Sequence, residues 1–138
     1  MTKMITEHFK WTEVLCPCCK RVRIEPIFWK HMEMLEDLRQ RVGFRIKINS
    51  GYRCKRQNTK VGGADGSYHM LFATDIRPVW ANLHVDYDRT TLQKKRLEAL
   101  YKEAMILSFK GLGRGEWFVH TDCRPDLTEW VYTNSRPK

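Results

Sequence analysis

Residues 26–51 read PIFWKHMEMLEDLRQRVGFRIKINSG, and the hydrophobic period changes inside this stretch. Ile27, His31, Met34, Leu35, Leu38 and Val42 fall at helical spacing, with Glu33, Glu36, Asp37, Arg39 and Arg41 between them. Pro26 suits a first helical turn and Gly43 suits the stop, so a helix is expected from Pro26 to the glycine. Phe44, Ile46 and Ile48 then alternate with Arg45, Lys47 and Asn49, the period of a strand with one buried face, closed by the turn Asn49, Ser50, Gly51. Downstream, Lys55 to Lys60 suits a short helix, Gly62, Gly63, Asp65 and Gly66 form a loop, and Ala73 to Arg77 reads as a strand stopped by Pro78. Leu92, Leu97, Leu100, Tyr101, Ala104 and Leu107 predict a second long helix over Thr90 to Ser108, ended by Gly111. Trp117 to Cys123 alternates as a strand that places Phe118, His120 and Asp122 on one face. Upstream, Phe9 to Ile24 carries Cys16, Pro17, Cys18 and Cys19 before the basic Lys20, Arg21 and Arg23, and is expected to be loop or short extended structure. Two main helices and several short strands, without a repeating strand-helix-strand unit, predict an α+β fold with a mostly antiparallel sheet. At 138 residues a single domain spanning 1–138 is expected.

Composition narrows the class. Hydrophobic residues make up 42% and charged residues 30%, the balance of a globular protein. No apolar run approaches the roughly 20 residues that span a bilayer. Residues Met1 to Trp11 lack the apolar stretch of a secretory signal, so synthesis in a cytoplasm without a signal peptide is expected. The net charge of +9 attracts polyanions without choosing among nucleic acid, anionic lipid and acidic wall polymers. Five cysteines, an odd number, argue against a disulfide framework and for reduced thiols.

The candidate chemistry lies in His69, Asp75 and His120. A hydrolytic zinc centre needs three protein ligands of nitrogen or oxygen type and one open position, and two histidines with one carboxylate satisfy it. Three ordered blocks surround these residues. Ser50, Gly51, Tyr52 and Arg53 are followed by Asn58 and by Val61, Gly62 and Gly63; Ser67, Tyr68, His69 and Met70 run into Ala73, Thr74, Asp75 and Ile76; and Gly111, Leu112 and Gly113 precede Phe118, Val119, His120, Thr121 and Asp122, with Arg124 and Trp130 beyond. In these blocks the chain resembles the zinc D-alanyl-D-alanine carboxypeptidases and related cell-wall endopeptidases, including phage endolysins, from roughly Phe9 to Trp130.

That resemblance implies a Hedgehog/D-Ala-D-Ala peptidase-like fold, Zn2+ held by His69, Asp75 and His120, and Arg53 binding a substrate carboxylate or the developing oxyanion. Physical chemistry agrees with the last role, because a fixed guanidinium offers paired donors. The chain departs from the family in two places. The step from His69 to Asp75 is six residues where the family has seven, with Leu71 and Phe72 in the middle, so the loop must absorb one residue for Asp75 to face its partners. The general base that many members carry three residues before the last histidine is Trp117 here. Asp122, about 6.8 Å from His120 along an extended strand, is the preferred replacement. Glu116 is the second candidate, about 13 Å from His120 unless the glycine-rich turn folds it back. Asp122 orienting a ligand histidine, and Glu116 as a solvated turn residue, are the alternatives.

Cys16, Cys18 and Cys19 invite a second zinc, but Cys54 and Cys123 are isolated in sequence, so idle thiols are expected. His8, His31 and His84 have no partner at ligand spacing, and His31 is expected to pack in the core. The expected function is zinc-dependent hydrolysis of peptide bonds in peptidoglycan stems, by a monomer without specific nucleic-acid binding and without a transmembrane segment, reaching the cell wall after phage-type release. A zinc-stabilised, non-catalytic binding module on the same scaffold is the alternative.

Overall fold

The computed structural model describes residues 3–79 and 89–132. Helix α1 spans Pro26–Val42 and ends where Gly43 turns left-handed at φ 74°, a conformation glycine adopts without steric cost. Strand β1 covers Ile46–Ser50, helix α2 Lys55–Lys60, strand β2 Ala73–Pro78 and helix α3 Arg89–Ile106. Strands β3 (Gly111–Arg114), β4 (Val119–Asp122) and β5 (Thr128–Val131) complete a sheet of order β1-β2-β4-β3-β5. All its pairings are antiparallel except β3 with β5. This is a small α+β fold with a mostly antiparallel five-stranded sheet, as the periodicities predict.

The sheet sorts its side chains by alternation. Ile48, Ile76, Leu112 and Val119 join Phe28, Leu35, Leu100 and Ala104 of α1 and α3 in one core, so both long helices cover the same face. Asp75 and His120, between those apolar positions, turn to the opposite face. His31 is fully buried among the helix-side residues, edge-on to Phe72 and Phe109, with Nε2 at 2.9 Å from Thr74 Oγ1. Its expected core placement holds, and burial lowers its pKa to about 3 because a charge there has no water. His8 lies 2.6 Å from Glu36, and His84 lies outside the described residues.

Two elements differ from the sequence expectation. Gly111 does not end the second helix. α3 stops at Ile106, Ser108 takes the left-handed turn at φ 73°, and Gly111 opens β3. β5 was not anticipated either. Both strands lack the β-branched alternation that marks a strand, and β3 is glycine-rich for a packing reason. A Cβ at Gly111 would collide with the Asp122 carboxylate, and one at Gly113 would stand 2.6 Å from the Trp130 indole nitrogen. The glycines let β4 and β5 side chains cross the β3 backbone toward the site.

Candidate metal centre

Asp75 and His120 pair directly across β2 and β4, so the antiparallel register alone puts them on one face. His69 comes from a 3-10 turn, Tyr68–Met70, capped by the Ser67 hydroxyl accepting from the His69 N–H at 3.2 Å. The short step from His69 to Asp75 is absorbed there. Leu71 is exposed, Phe72 drops into the core, and the strand begins only at Ala73, so the histidine is outside the register that fixes the aspartate. A β-bulge between Ile48 and Ser50 sets Ser50 opposite Asp75. Gly51 then runs so close to Val14 that a Cβ would meet its backbone at 2.7 Å.

The ligating atoms of His69, Asp75 and His120 all lie within 4.8 Å of one another, and all three residues are buried. His69 Nε2 is 3.2 Å from Asp75 Oδ2, and His120 Nδ1 is 3.0 Å from Asp75 Oδ1. The outer nitrogens are also engaged. His69 Nδ1 is 2.7 Å from the Gly51 carbonyl, which only accepts, so Nδ1 carries the proton and Nε2 presents its lone pair inward. His120 Nε2 donates to Asp122 Oδ2 at 2.7 Å, which leaves Nδ1 for the centre. Burial opposes charge on Asp75, but His69 and His120 outweigh it and hold the carboxyl well below the usual range. Burial likewise opposes charge on His120, and the flanking Asp122 and Asp75 raise its pKa.

Arg53, 4% exposed, is tied to the same cluster. Its Nη2 donates to Asp75 Oδ2 at 3.4 Å, Nη1 to Asn58 Oδ1 at 3.4 Å and Nε to Ser50 Oγ at 3.1 Å, while its backbone N–H donates to the His69 carbonyl at 2.8 Å. Asn58 Nδ2 in turn holds the Ala64 carbonyl at 3.0 Å, fixing the loop from Gly63 to Ser67. Above the cluster opens a cavity of about 440 Å3, walled by that loop, Tyr68, Phe118, Trp130 and Tyr132, with Arg53 and Arg124 as its cations. The Arg124 guanidinium lies 4.4 Å from the Tyr68 ring centroid and 4.8 Å from that of Trp130.

Neither residue named from the sequence as a base stands in this wall. Asp122 is fully buried: Oδ2 accepts from His120 Nε2 and from Arg124 Nη2 at 2.6 Å, and Oδ1 accepts from Arg124 Nε at 2.8 Å. It shares the face of His120 as expected, but it grips the imidazole from the side away from Asp75. Burial works against its charge, and Arg124 and His120 keep its pKa well below the ordinary range. Glu116 is exposed in the β3–β4 turn and borders a separate depression with Lys94, Tyr101 and Arg114. The carboxylates that do line the cavity, among the described residues, are Asp75 and Asp65. From the sequence Asp65 is only a loop residue, and the bond of Asn58 to the Ala64 carbonyl holds that loop beside the site.

The donor set fits zinc: two imidazoles with their far nitrogens already held, one carboxylate, and an open side toward a cavity. Fold and site together define a small α+β protein with a buried cluster able to hold a metal ion of the hydrolytic type. The sequence model of the peptidase M15 family matches residues 7–122, most of the chain, and the protein belongs to that family of zinc peptidases. It is therefore a metallopeptidase, a hydrolase of peptide substrates. No curated protein and no solved structure matches the chain.

Proposed function

We propose that this peptidase hydrolyses amide bonds in the peptide stems of bacterial peptidoglycan, as a D-Ala-D-Ala carboxypeptidase or an endolysin-type endopeptidase. The observation that carries the reading is the convergence of His69, Asp75 and His120 beneath an open, aromatic-walled cavity that also presents arginines. His69, Asp75 and His120 would hold zinc, which when bound supplies Lewis acidity toward a peptide carbonyl and makes water a stronger nucleophile. Arg53 holds Asp75 in place and offers its guanidinium to a substrate carboxylate or to the charge that develops on the carbonyl oxygen. Asp122 is a positioning residue that fixes the ring of His120, in place of the proton-accepting role expected from the sequence. Asp65, the other carboxylate that lines the cavity, would take a proton from water and return it to the leaving amine. Tyr68, Trp130 and Tyr132 exclude water from the bound stem and pack its aliphatic side chains. The net charge of +9 favours approach to an anionic wall, and release in the manner of a phage lysis protein accounts for an enzyme that reaches it.

Digestion of purified peptidoglycan, followed by mass analysis of the released fragments, tests the proposal. Turnover lost on chelation and restored by zinc is expected, and the fragment masses identify the bond. Stoichiometric zinc with no turnover on any wall preparation would overturn it in favour of a zinc-stabilised binding module.

A further inference from the structure

Cys54 is isolated in sequence but not in space. Its Sγ lies 3.6 Å from that of Cys16, across a separation of 38 residues, and the sulfurs of Cys16, Cys19 and Cys54 all lie within 4.8 Å of one another. Cys16 and Cys19 form a Cys-x-x-Cys pair whose chain reverses tightly. The Lys20 N–H donates to the Cys16 carbonyl at 2.8 Å, the Cys16 N–H donates to Arg21 at 2.9 Å, and Lys20 sits left-handed at φ 59°. Backbone N–H groups of Cys54, Cys19 and Cys18 point at the Cys16 sulfur, that of Cys54 from 3.5 Å. Burial opposes ionisation of Cys16, yet these donors together bring its pKa down to about 7. Amide donors directed at one sulfur stabilise a thiolate, and three thiols meeting at one point exceed what a single disulfide uses.

We propose that Cys16, Cys19 and Cys54 form a second, structural site for a thiolate-binding divalent cation of the zinc type, clamping the N-terminal segment to the chain that carries Arg53. Cys18 is exposed and lies outside that trio, but as the neighbour of Cys19 in the chain it is the thiol at hand for a fourth position. Coordination replaces each S–H bond by a sulfur–metal bond and releases the proton to solvent. The clamp has a mechanical consequence. The segment at Val14 already accepts the Tyr52 N–H at 3.0 Å and abuts Gly51, whose carbonyl orients His69, and Arg53 directly precedes Cys54. A metal there would stiffen the backbone that aims both His69 and Arg53, without touching substrate.

The full chain, purified anaerobically in the presence of zinc and gel-filtered, tests this by metal content and by cobalt reconstitution. About two zinc ions per chain are expected, falling to about one in a His69→Ala/His120→Ala variant and to about one in a Cys16→Ser/Cys54→Ser variant. The cobalt form of the histidine variant should keep a near-ultraviolet thiolate-to-cobalt charge-transfer band, and the cysteine variant should lose it. That histidine variant keeps every cysteine, so its readout stands even where the serine variant fails to fold. A histidine variant without metal and without the band would overturn the proposal, as would anaerobic protein lighter by two hydrogens with Cys16 and Cys54 joined. Turnover is not read, so failure here leaves the peptidase reading intact, and failure of that reading leaves this site intact.

Discussion

His120 carries a carboxylate on each ring nitrogen, and the two acids do different work: Asp75 shares the centre, whereas Asp122 holds the ring from behind. Removing the charge of Asp122 in an Asp122→Asn variant should weaken zinc affinity about 10- to 100-fold, measured by competition with a chromogenic chelator. Unchanged affinity would remove its positioning role. Asp65→Asn should leave metal content intact and lower kcat by about 10²- to 10⁴-fold on a wall-derived peptide. A variant with undiminished kcat would return the proton step to solvent. At this scale, residue types and spacing pointed to two imidazoles and a carboxylate, but not to the ring nitrogen each would present. That choice depends on Gly51 and Asp122, one of them a backbone carbonyl that no side-chain motif records.

Strand β3 illustrates how an element can be hidden by its own packing, whereas its neighbour β4 shows a strand's alternation. All four residues of β4 are buried, because helices cover one face and the site the other. β3 pairs with it through glycines, since Gly111 leaves room for the Asp122 carboxylate. Gly111→Ala should cost about 1–3 kcal/mol by urea denaturation and lower zinc affinity as well, because the added methyl displaces the group that holds His120. Loss of stability without any loss of affinity would separate the strand from the site. On the helix side, His31 is neutral in the folded state with a pKa near 3, against about 6.5 when unfolded. The unfolded chain therefore binds the extra proton between those values, and stability is full above the unfolded pKa and declines as pH falls through that window. From pH 6.5 to 5 the decline owed to this group is about 2 kcal/mol. Urea melts of the native chain and a His31→Gln variant should show a flatter acid slope in the variant, His69 and His120 being common to both. Equal slopes would assign acid lability elsewhere.

Across the whole molecule, the net positive charge and the site cavity walled by Arg53 and Arg124 act at different ranges. Binding to insoluble peptidoglycan should weaken steadily as salt is raised, while kcat on a short soluble peptide changes little, because screening removes long-range attraction before buried pairs. Sedimentation assays across a salt series read the first quantity, and a chromogenic peptide reads the second. The long helices, β1, β2, β4 and the α+β class were legible from local period alone, because burial on one face imposes a period of 3.6 or 2 on the residues themselves. The ordered histidine and aspartate blocks, and the family they resemble, were legible in the same way, as residue types at fixed spacing. Tertiary structure alone decided that β2 and β4 set Asp75 against His120, that Asp122 points behind the ring, that the loop bearing Asp65 closes over the site, and that Cys54 meets Cys16. Each of these joins residues far apart in the chain or turns on a backbone group, and such contacts leave no periodic trace in the order of amino acids.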